Sequence, residues 1–224
     1  MRTKELRTPM TPLLLGHRGA RASRQIPENS LASFELCLQH GCDGFEFDVR
    51  RSADGVAVIC HDAAVGGVEI ANTGSKTLPL PTLEDVLRQF AHRAFLDIEL
   101  KVAGLEAQTV AELRKHSPQN GYVVSSFLPE VLTAIRELDS AIPLGFLCDT
   151  QEWLRGWRER PAEWVIPQFK LADRELIELV HAAGKKIMVW TVNRAEHMRE
   201  FAGWGADAII SDETQQIAEV VSPR

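Results

Sequence analysis

Short apolar runs alternate with amphipathic stretches along almost the whole chain. Leu13-Leu14-Leu15 predicts a strand that stops at Gly16, and Asn29 or Ser30 can cap a helix running to His40. In that helix Leu31, Phe34, Cys37 and Leu38 follow helical spacing, and Gly41 ends it. Residues 44–49 predict a second strand, and the Asp54-Gly55 turn leads to another extended run at 56–60. From there the period becomes regular. Helices are predicted at 82–92, 105–115, 129–138, 151–157, 174–183, 195–204 and 213–221. Strands are predicted at 94–100, 122–124, 143–147, 164–166, 186–192 and 208–210.

This pattern makes eight strand-then-helix units, with 56–60 left over in the second loop and a surface loop at 66–81. Regular βα alternation implies parallel strands covered by helices. Eight units that close on themselves make an α/β protein of the (β/α)8 TIM-barrel class, with a short insertion between the second and third strands. The competing open, doubly wound sheet would place a Gly-rich phosphate loop after its first strand, and His17-Arg18-Gly19 is no such loop. A length of 224 residues suits one domain spanning 1–224.

Composition narrows the partners. A net charge of −6 with no basic patch argues against nucleic acid. No run approaches the roughly 20 apolar residues of a membrane span. Arg2, Lys4 and Arg7 precede Pro12 without an apolar signal core. Cys37, Cys42, Cys60 and Cys148 have neither disulfide nor zinc spacing and read as free thiols. The expectation is a cytoplasmic protein without stable membrane association; a homo-oligomer is left open.

Candidate chemistry gathers at the predicted strand ends. Strand side chains alternate, so Glu46 and Asp48 share one face while Phe45, Phe47 and Val49 take the other. Glu99 likewise shares a face with Asp97 and Lys101. Inward carboxylates without partners would repel and lose hydration, and a divalent cation with oxygen ligands resolves this. Glu46, Asp48 and Glu99 are therefore candidate ligands of one divalent metal, Mg²⁺ or Ca²⁺; a metal-free ring of salt bridges to Arg18 and Lys101 is the alternative. His17 and His61 are candidates for general acid and base, because imidazole titrates near neutrality. Arg18 and Lys101 suit a phosphate. Trp190 is placed to wall the pocket, or simply to pack, and Phe127 has the same standing. His40, His92, His116, His181 and His197 fall on or beside helices and read as surface residues.

In order along the chain, Gly16-His17-Arg18-Gly19, Pro27-Glu28-Asn29-Ser30, Glu46-Phe47-Asp48, His61-Asp62, Glu99-Leu100-Lys101, Ser125-Ser126-Phe127, Trp190-Thr191-Val192-Asn193 and Ile209-Ile210-Ser211-Asp212 resemble the glycerophosphodiester phosphodiesterase family. The resemblance covers nearly the whole chain. It implies a barrel that hydrolyses a small-molecule glycerophosphodiester to glycerol 3-phosphate and an alcohol. Carried over by position, His17 and His61 are acid and base, and Glu46, Asp48 and Glu99 bind Mg²⁺ or Ca²⁺. Arg18 and Lys101 contact the phosphate, and Glu28 orients Arg18 or supports the site.

The chain departs from the family after His61-Asp62, where Ala63-Ala64-Val65-Gly66-Gly67 replaces the usual Leu and Arg-Thr-Thr run. The cap, at about 62–93, is short for the family, which predicts a more open pocket. A lysophospholipase D-type enzyme acting on lysolipids is the nearest alternative, since a short cap would admit an acyl chain. A non-catalytic phosphodiester-binding protein is a third reading, but such a protein is expected to have lost a histidine or a carboxylate, and here all are present.

Overall fold

The computed structural model describes residues 11–221; the basic N-terminal segment weighed for targeting lies, up to residue 10, outside the described residues. In chain order the strands are β1 (Leu13–His17), β2 (Gly44–Arg51), β3 (Ala57–Ile59), β4 (Ala64–Val65), β5 (Val68–Glu69) and β6 (Phe95–Leu100). They continue as β7 (Tyr122–Ser126), β8 (Leu144–Cys148), β9 (Trp164–Pro167), β10 (Lys186–Val189) and β11 (Ala208–Ser211). The helices are α1 (Leu31–Gln39), α2 (Leu83–Phe90), α3 (Glu106–Lys115), α4 (Pro129–Leu138), α5 (Gln151–Arg155), α6 (Arg174–Ala182), α7 (Ala195–Trp204) and α8 (Thr214–Val221).

Eight parallel strands, in the order β1-β2-β6-β7-β8-β9-β10-β11, form a ring that closes between β11 and β1. A helix follows each, so the fold is the (β/α)8 barrel that the alternation predicts. Local signals set the helix starts. Ser30 Oγ accepts from the Ser33 backbone N–H at 3.1 Å, Thr82 and Asp85 form a capping box, and Pro129 opens α4.

Several elements differ from the sequence pattern. Strand β2 runs on to Arg51, because β3 folds back antiparallel on it and pairs Val49 with Ile59 and Arg51 with Ala57. The seventh ring strand stops at Val189 rather than 192, and the Trp190 backbone makes an isolated bridge to Gln168 in place of a continued ladder. The fifth helix ends at Arg155, where Gly156 breaks it into a short 3₁₀ turn at Trp157–Glu159. The segment expected as a cap holds the hairpin β4–β5, two 3₁₀ turns at Ile70–Asn72 and Ser75–Thr77, and α2, which takes its place in the outer ring.

Two apolar layers hold the barrel. The larger lies between strands and helices, where Phe34 and Phe45 stack at 4.2 Å and Phe90 meets Phe45 edge-on at 5.1 Å. The smaller fills the barrel axis with Leu15, Phe95, Val123, Trp164, Met188 and Ala208. Strand β2 thus packs Phe45, Phe47 and Val49 outward and turns Glu46 and Asp48 inward, as alternation requires. Gly44 lets β2 approach β6 closely, for a Cβ there would collide with the Phe95 carbonyl oxygen.

Candidate active site

Strand register stacks the inward carboxylates in two tiers. Glu46 lies beside Asp97, and Asp48 beside Glu99. All four are buried. Oxygens of Glu46, Asp48 and Glu99 lie within 4.8 Å of one another. Lys101 Nζ sits 2.7 Å from Glu99 Oε1 and 3.4 Å from Asp48 Oδ1, and Arg18 Nε sits 3.2 Å from Asp48 Oδ2. The Arg18 backbone N–H donates to Glu46 Oε2 at 3.0 Å.

These two cations do not neutralise the group evenly. Burial opposes ionisation of Asp48, but Lys101, Arg18 and the Asn29 amide outweigh it and hold this carboxyl below its ordinary range. Burial pushes Glu46 well above that range, reinforced by Asp48 and Glu99, and pushes Glu99 up to about 7 despite Lys101. Glu46 Oε1 is buried with no hydrogen-bond partner among the described residues. An unpartnered carboxylate oxygen facing two more carboxylates is the environment a hard divalent cation fits, since its ligands are oxygens. The residues present therefore suit such an ion.

The two histidines reach the mouth by different routes. His17 ends β1, and its Nδ1 lies 2.7 Å from Asp212 Oδ1, at the end of β11. Its Nε2 points the other way, 3.9 Å from Glu46 Oε2. Burial pushes the His17 imidazole below its ordinary value, although Asp212 works against this. His61 lies two residues past β3. There the Cys60 N–H donates to the Asp48 carbonyl at 3.0 Å, and Arg50 Nε donates to the His61 carbonyl at 2.7 Å. His61 Nδ1 lies 2.7 Å from Asp62 Oδ1.

Glu28 stands behind the site. Its Oε1 accepts from Arg18 Nη1 at 2.7 Å and its Oε2 from Arg21 Nε at 2.6 Å. Arg18 and Asn29 both have positive φ, 54° and 55°, and the Asn29 N–H donates to the Arg18 carbonyl at 3.0 Å. Left-handed backbone is uncommon outside glycine and tends to cluster where a site dictates the chain's path.

Sequence reasoning missed three supporting residues. Asp212 partners His17, and Asn29 Nδ2 donates to Asp48 Oδ2 at 2.8 Å. Asp97, which shares the tier of Glu46, accepts from Ser125 Oγ at 2.6 Å and is pushed by burial to about 7. The signals were present: Asp212 and Asn29 lie in segments already singled out, and Asp97 alternates with Glu99. Their partners could not be read, because the contacts join distant segments.

A cavity of about 250 Å³ opens at this end of the barrel. His17, Arg18, Glu46, His61, Glu99 and Lys101 line one side, and Phe127, Leu147, Asp149, Trp190 and Ile210 line the rest. Asp48 lies beneath, 1% exposed. Trp190 does wall the pocket, with its Nε1–H donating to the Ile166 carbonyl at 3.0 Å and its ring edge-on to Phe127. The other carboxylate–imidazole group found among the described residues, Glu84, Glu112 and His116, lines no part of this cavity, and Lys115 already pairs with Glu84. Of the remaining histidines, His40 contacts Thr214, His181 pairs with Asp207 and His197 packs on Phe169.

The arrangement can hold a cation, a phosphate and two proton carriers around one point. Comparison with known proteins points the same way. The model of the glycerophosphoryl diester phosphodiesterase family matches residues 17–86 and 65–216. A glycerophosphodiester phosphodiesterase of Caldanaerobacter subterraneus is 27% identical, over 95% of this chain and 98% of that protein. An Oleispira antarctica phosphodiesterase, solved in complex with its product sn-glycerol-3-phosphate, is 28% identical with a TM-score of 0.82, over 94% of this chain and 97% of that one. The glycerophosphodiester phosphodiesterase of Thermotoga maritima shares the fold, with a TM-score of 0.81 at 24% identity over 93% of this chain and 97% of that one. The chain belongs to the glycerophosphoryl diester phosphodiesterase family and is a phosphoric diester hydrolase.

Proposed function

We propose that the protein hydrolyses glycerophosphodiesters to glycerol 3-phosphate and an alcohol, at a single divalent metal and with His17 and His61 as acid and base. The observation that carries this reading is the buried trio Glu46, Asp48 and Glu99, with an unpartnered oxygen on Glu46, between the two histidines. The glycerol 3-phosphate bound to the Oleispira antarctica relative supports the choice of product.

Glu46, Asp48 and Glu99 would hold Mg²⁺ or Ca²⁺, both of which accept oxygen ligands. A cation bound there supplies Lewis-acid polarisation of a phosphoryl oxygen and lowers the pKa of the attacking hydroxyl. Arg18 and Lys101 bind the phosphoryl oxygens and stabilise charge that builds on them. Glu28 keeps the Arg18 guanidinium aimed through its 2.7 Å hydrogen bond. The nucleophile is water, giving glycerol 3-phosphate directly, or the substrate's own glycerol hydroxyl, giving a cyclic phosphate that water then opens to glycerol 3-phosphate. One histidine takes its proton, the P–O bond to the leaving alcohol breaks, and the other histidine protonates the departing oxygen. Each imidazole has a carboxylate at Nδ1, Asp212 for His17 and Asp62 for His61, which leaves both Nε2 atoms for this work. Trp190 walls the substrate on the far side.

In this reading the whole chain is one domain, and of the cap expected at about 62–93 only the part before α2 caps the mouth. Four free thiols support a cytoplasmic setting. No helix among the described residues is long and apolar enough to cross a membrane.

The test is release of glycerol 3-phosphate from glycerophosphocholine and glycerophosphoethanolamine by EDTA-treated protein, before and after Mg²⁺ or Ca²⁺ is restored. Release that depends on metal, and that falls about 10²-fold or more in His17→Ala and in His61→Ala, is expected. Folded protein that releases none with either metal would overturn the proposal.

A further inference from the structure

The mouth cavity has a polarity that hydrolysis alone does not use. In the ring β1-β2-β6-β7-β8-β9-β10-β11, strand β8 stands four places from β1 in either direction, directly across the barrel. Asp149 follows the last residue of β8 and lines the cavity opposite His17 and Arg18. The apolar part of the same lining is Phe127, Leu147, Trp190 and Ile210.

Three carboxylates line this cavity, and two of them already have donors. Glu99 has Lys101 at 2.7 Å, and Glu46 has the Arg18 backbone N–H at 3.0 Å. Asp149 has neither an ion-pair nor a hydrogen-bond partner among the described residues, and it is exposed. A lone carboxylate facing a phosphodiester site repels the anionic ligand through Coulomb's law, unless the ligand brings a cation to it. Two aromatic rings, Phe127 and Trp190, line the same cavity. Trp190 is fixed by its 3.0 Å hydrogen bond to the Ile166 carbonyl, and the neighbouring Phe127 ring already has Lys101 Nζ 5.8 Å from its centroid. A carboxylate and a fixed indole that line one cavity are the chemistry that recognises an alkylammonium group.

We propose that Asp149, with Trp190, selects glycerophosphodiesters whose alcohol carries a positive charge: amino alcohols and their quaternary ammonium forms. The inference rests on the phosphodiesterase reading and names its substrate class. Glycerol hydroxyls could also donate to Asp149, but that role would be blind to the charge of the alcohol.

The experiment compares glycerophosphocholine and glycerophosphoethanolamine with neutral-headed glycerophosphoglycerol, as ratios of kcat/KM within each variant. In Asp149→Asn the cationic-to-neutral ratio falls about tenfold, in Asp149→Lys it falls further, and in Asp149→Glu it is largely kept. A ratio unchanged in Asp149→Asn and Asp149→Lys overturns the assignment, whatever happens to the absolute rates. Calorimetric binding of glycerophosphocholine gives an independent readout: Kd weakens in Asp149→Asn while Kd for glycerophosphoglycerol moves much less. Equal weakening of both also overturns it. If the wild type turns over none of the three diesters, the hydrolytic reading falls, and the two Kd values still decide the role of Asp149.

Discussion

His17 Nδ1 and Asp212 Oδ1 lie 2.7 Å apart, joining two ends of the barrel ring 195 residues apart in sequence. A carboxylate can only accept, so Nδ1 carries the proton and Nε2 presents its lone pair toward the mouth. Asp212 is well prepared for this. Burial opposes its charge, but hydrogen bonds and charge from His17, Asn193 and Arg21 bring it down to about 2. It stays ionised across the working range.

Asp212→Asn is expected to lower kcat by about 10²- to 10⁴-fold, because an amide can donate to Nδ1 and favour the wrong tautomer. The pH profile should move as well. Burial lowers the His17 pKa and Asp212 raises it, so removing the carboxylate lets it fall further. Any acid limb that belongs to His17 then shifts to lower pH. A variant with wild-type kcat and an unmoved profile would remove Asp212 from the mechanism.

Cation binding should be visible as stability. At a free metal concentration near 100 Kd the gain is about 2.7 kcal/mol. For a chain of this size that is roughly 5–10 °C in Tm, read by calorimetry on EDTA-treated protein with and without added Mg²⁺ or Ca²⁺. Glu46→Gln should abolish most of that rise. The metal-free variant should be at least as stable as the metal-free wild type, since it removes a buried carboxyl that has an unpartnered oxygen. An equal metal-induced rise in both proteins would take Glu46 out of the ligand set.

Two glycine-to-alanine changes should act in opposite directions. At Gly44 a new Cβ meets the Phe95 backbone carbonyl, which cannot swing aside, so Gly44→Ala should cost about 3 kcal/mol or more and spread β2 from β6. At Gly203, inside α7, nothing lies within 4 Å of a new Cβ and no positive φ stands in the way. Gly203→Ala should stabilise by roughly 0.5–1 kcal/mol. Urea denaturation of both variants checks the contrast, and a Gly44→Ala protein as stable as wild type would refute the close approach of the two strands.

Asp54 ties down the segment after β3. Hydrogen bonds from Ser52 Oγ, the Ser75 N–H and Ser75 Oγ lower its carboxyl to about 2. Its folded value lies below the unfolded one, so the tether is fully present above about pH 4 and is lost as pH falls through about 2. Amide exchange in residues 66–81 should quicken over that window, and at neutral pH in Asp54→Ala. Exchange unaffected by the substitution would show that the segment is held by other contacts.

Most of the fold was legible because it depends on local periodicity. The alternation in Phe45-Glu46-Phe47-Asp48-Val49 states which side chains face the axis, and the barrel then brings Glu99 beside Asp48 by register. What was not legible depends on closure. His17 meets Asp212 only because β11 returns to β1, and Asn29 reaches Asp48 only because the chain after β1 takes a left-handed path at Arg18 and Asn29. Strand ends were misread where side chains overrode periodicity. Trp190 continues an apolar run, but its indole hydrogen-bonds Ile166 and leaves only an isolated bridge.

The hairpin of β2 and β3 separates what must stay constant from what can drift. His61 is set by pairing upstream of it, from Val49–Ile59 to the bond between Cys60 and Asp48. The loop between Asp62 and Pro81 can therefore lengthen, shorten or be exchanged for a foreign one without retuning the imidazole, provided Pro81 and Thr82 keep their pairing with β3. One residue inserted between Ile59 and His61 would instead turn the ring to the opposite side of the ribbon. Grafting experiments on this scaffold thus have a natural cut point just after Asp62, and reshaping what enters the mouth need not disturb the chemistry below it.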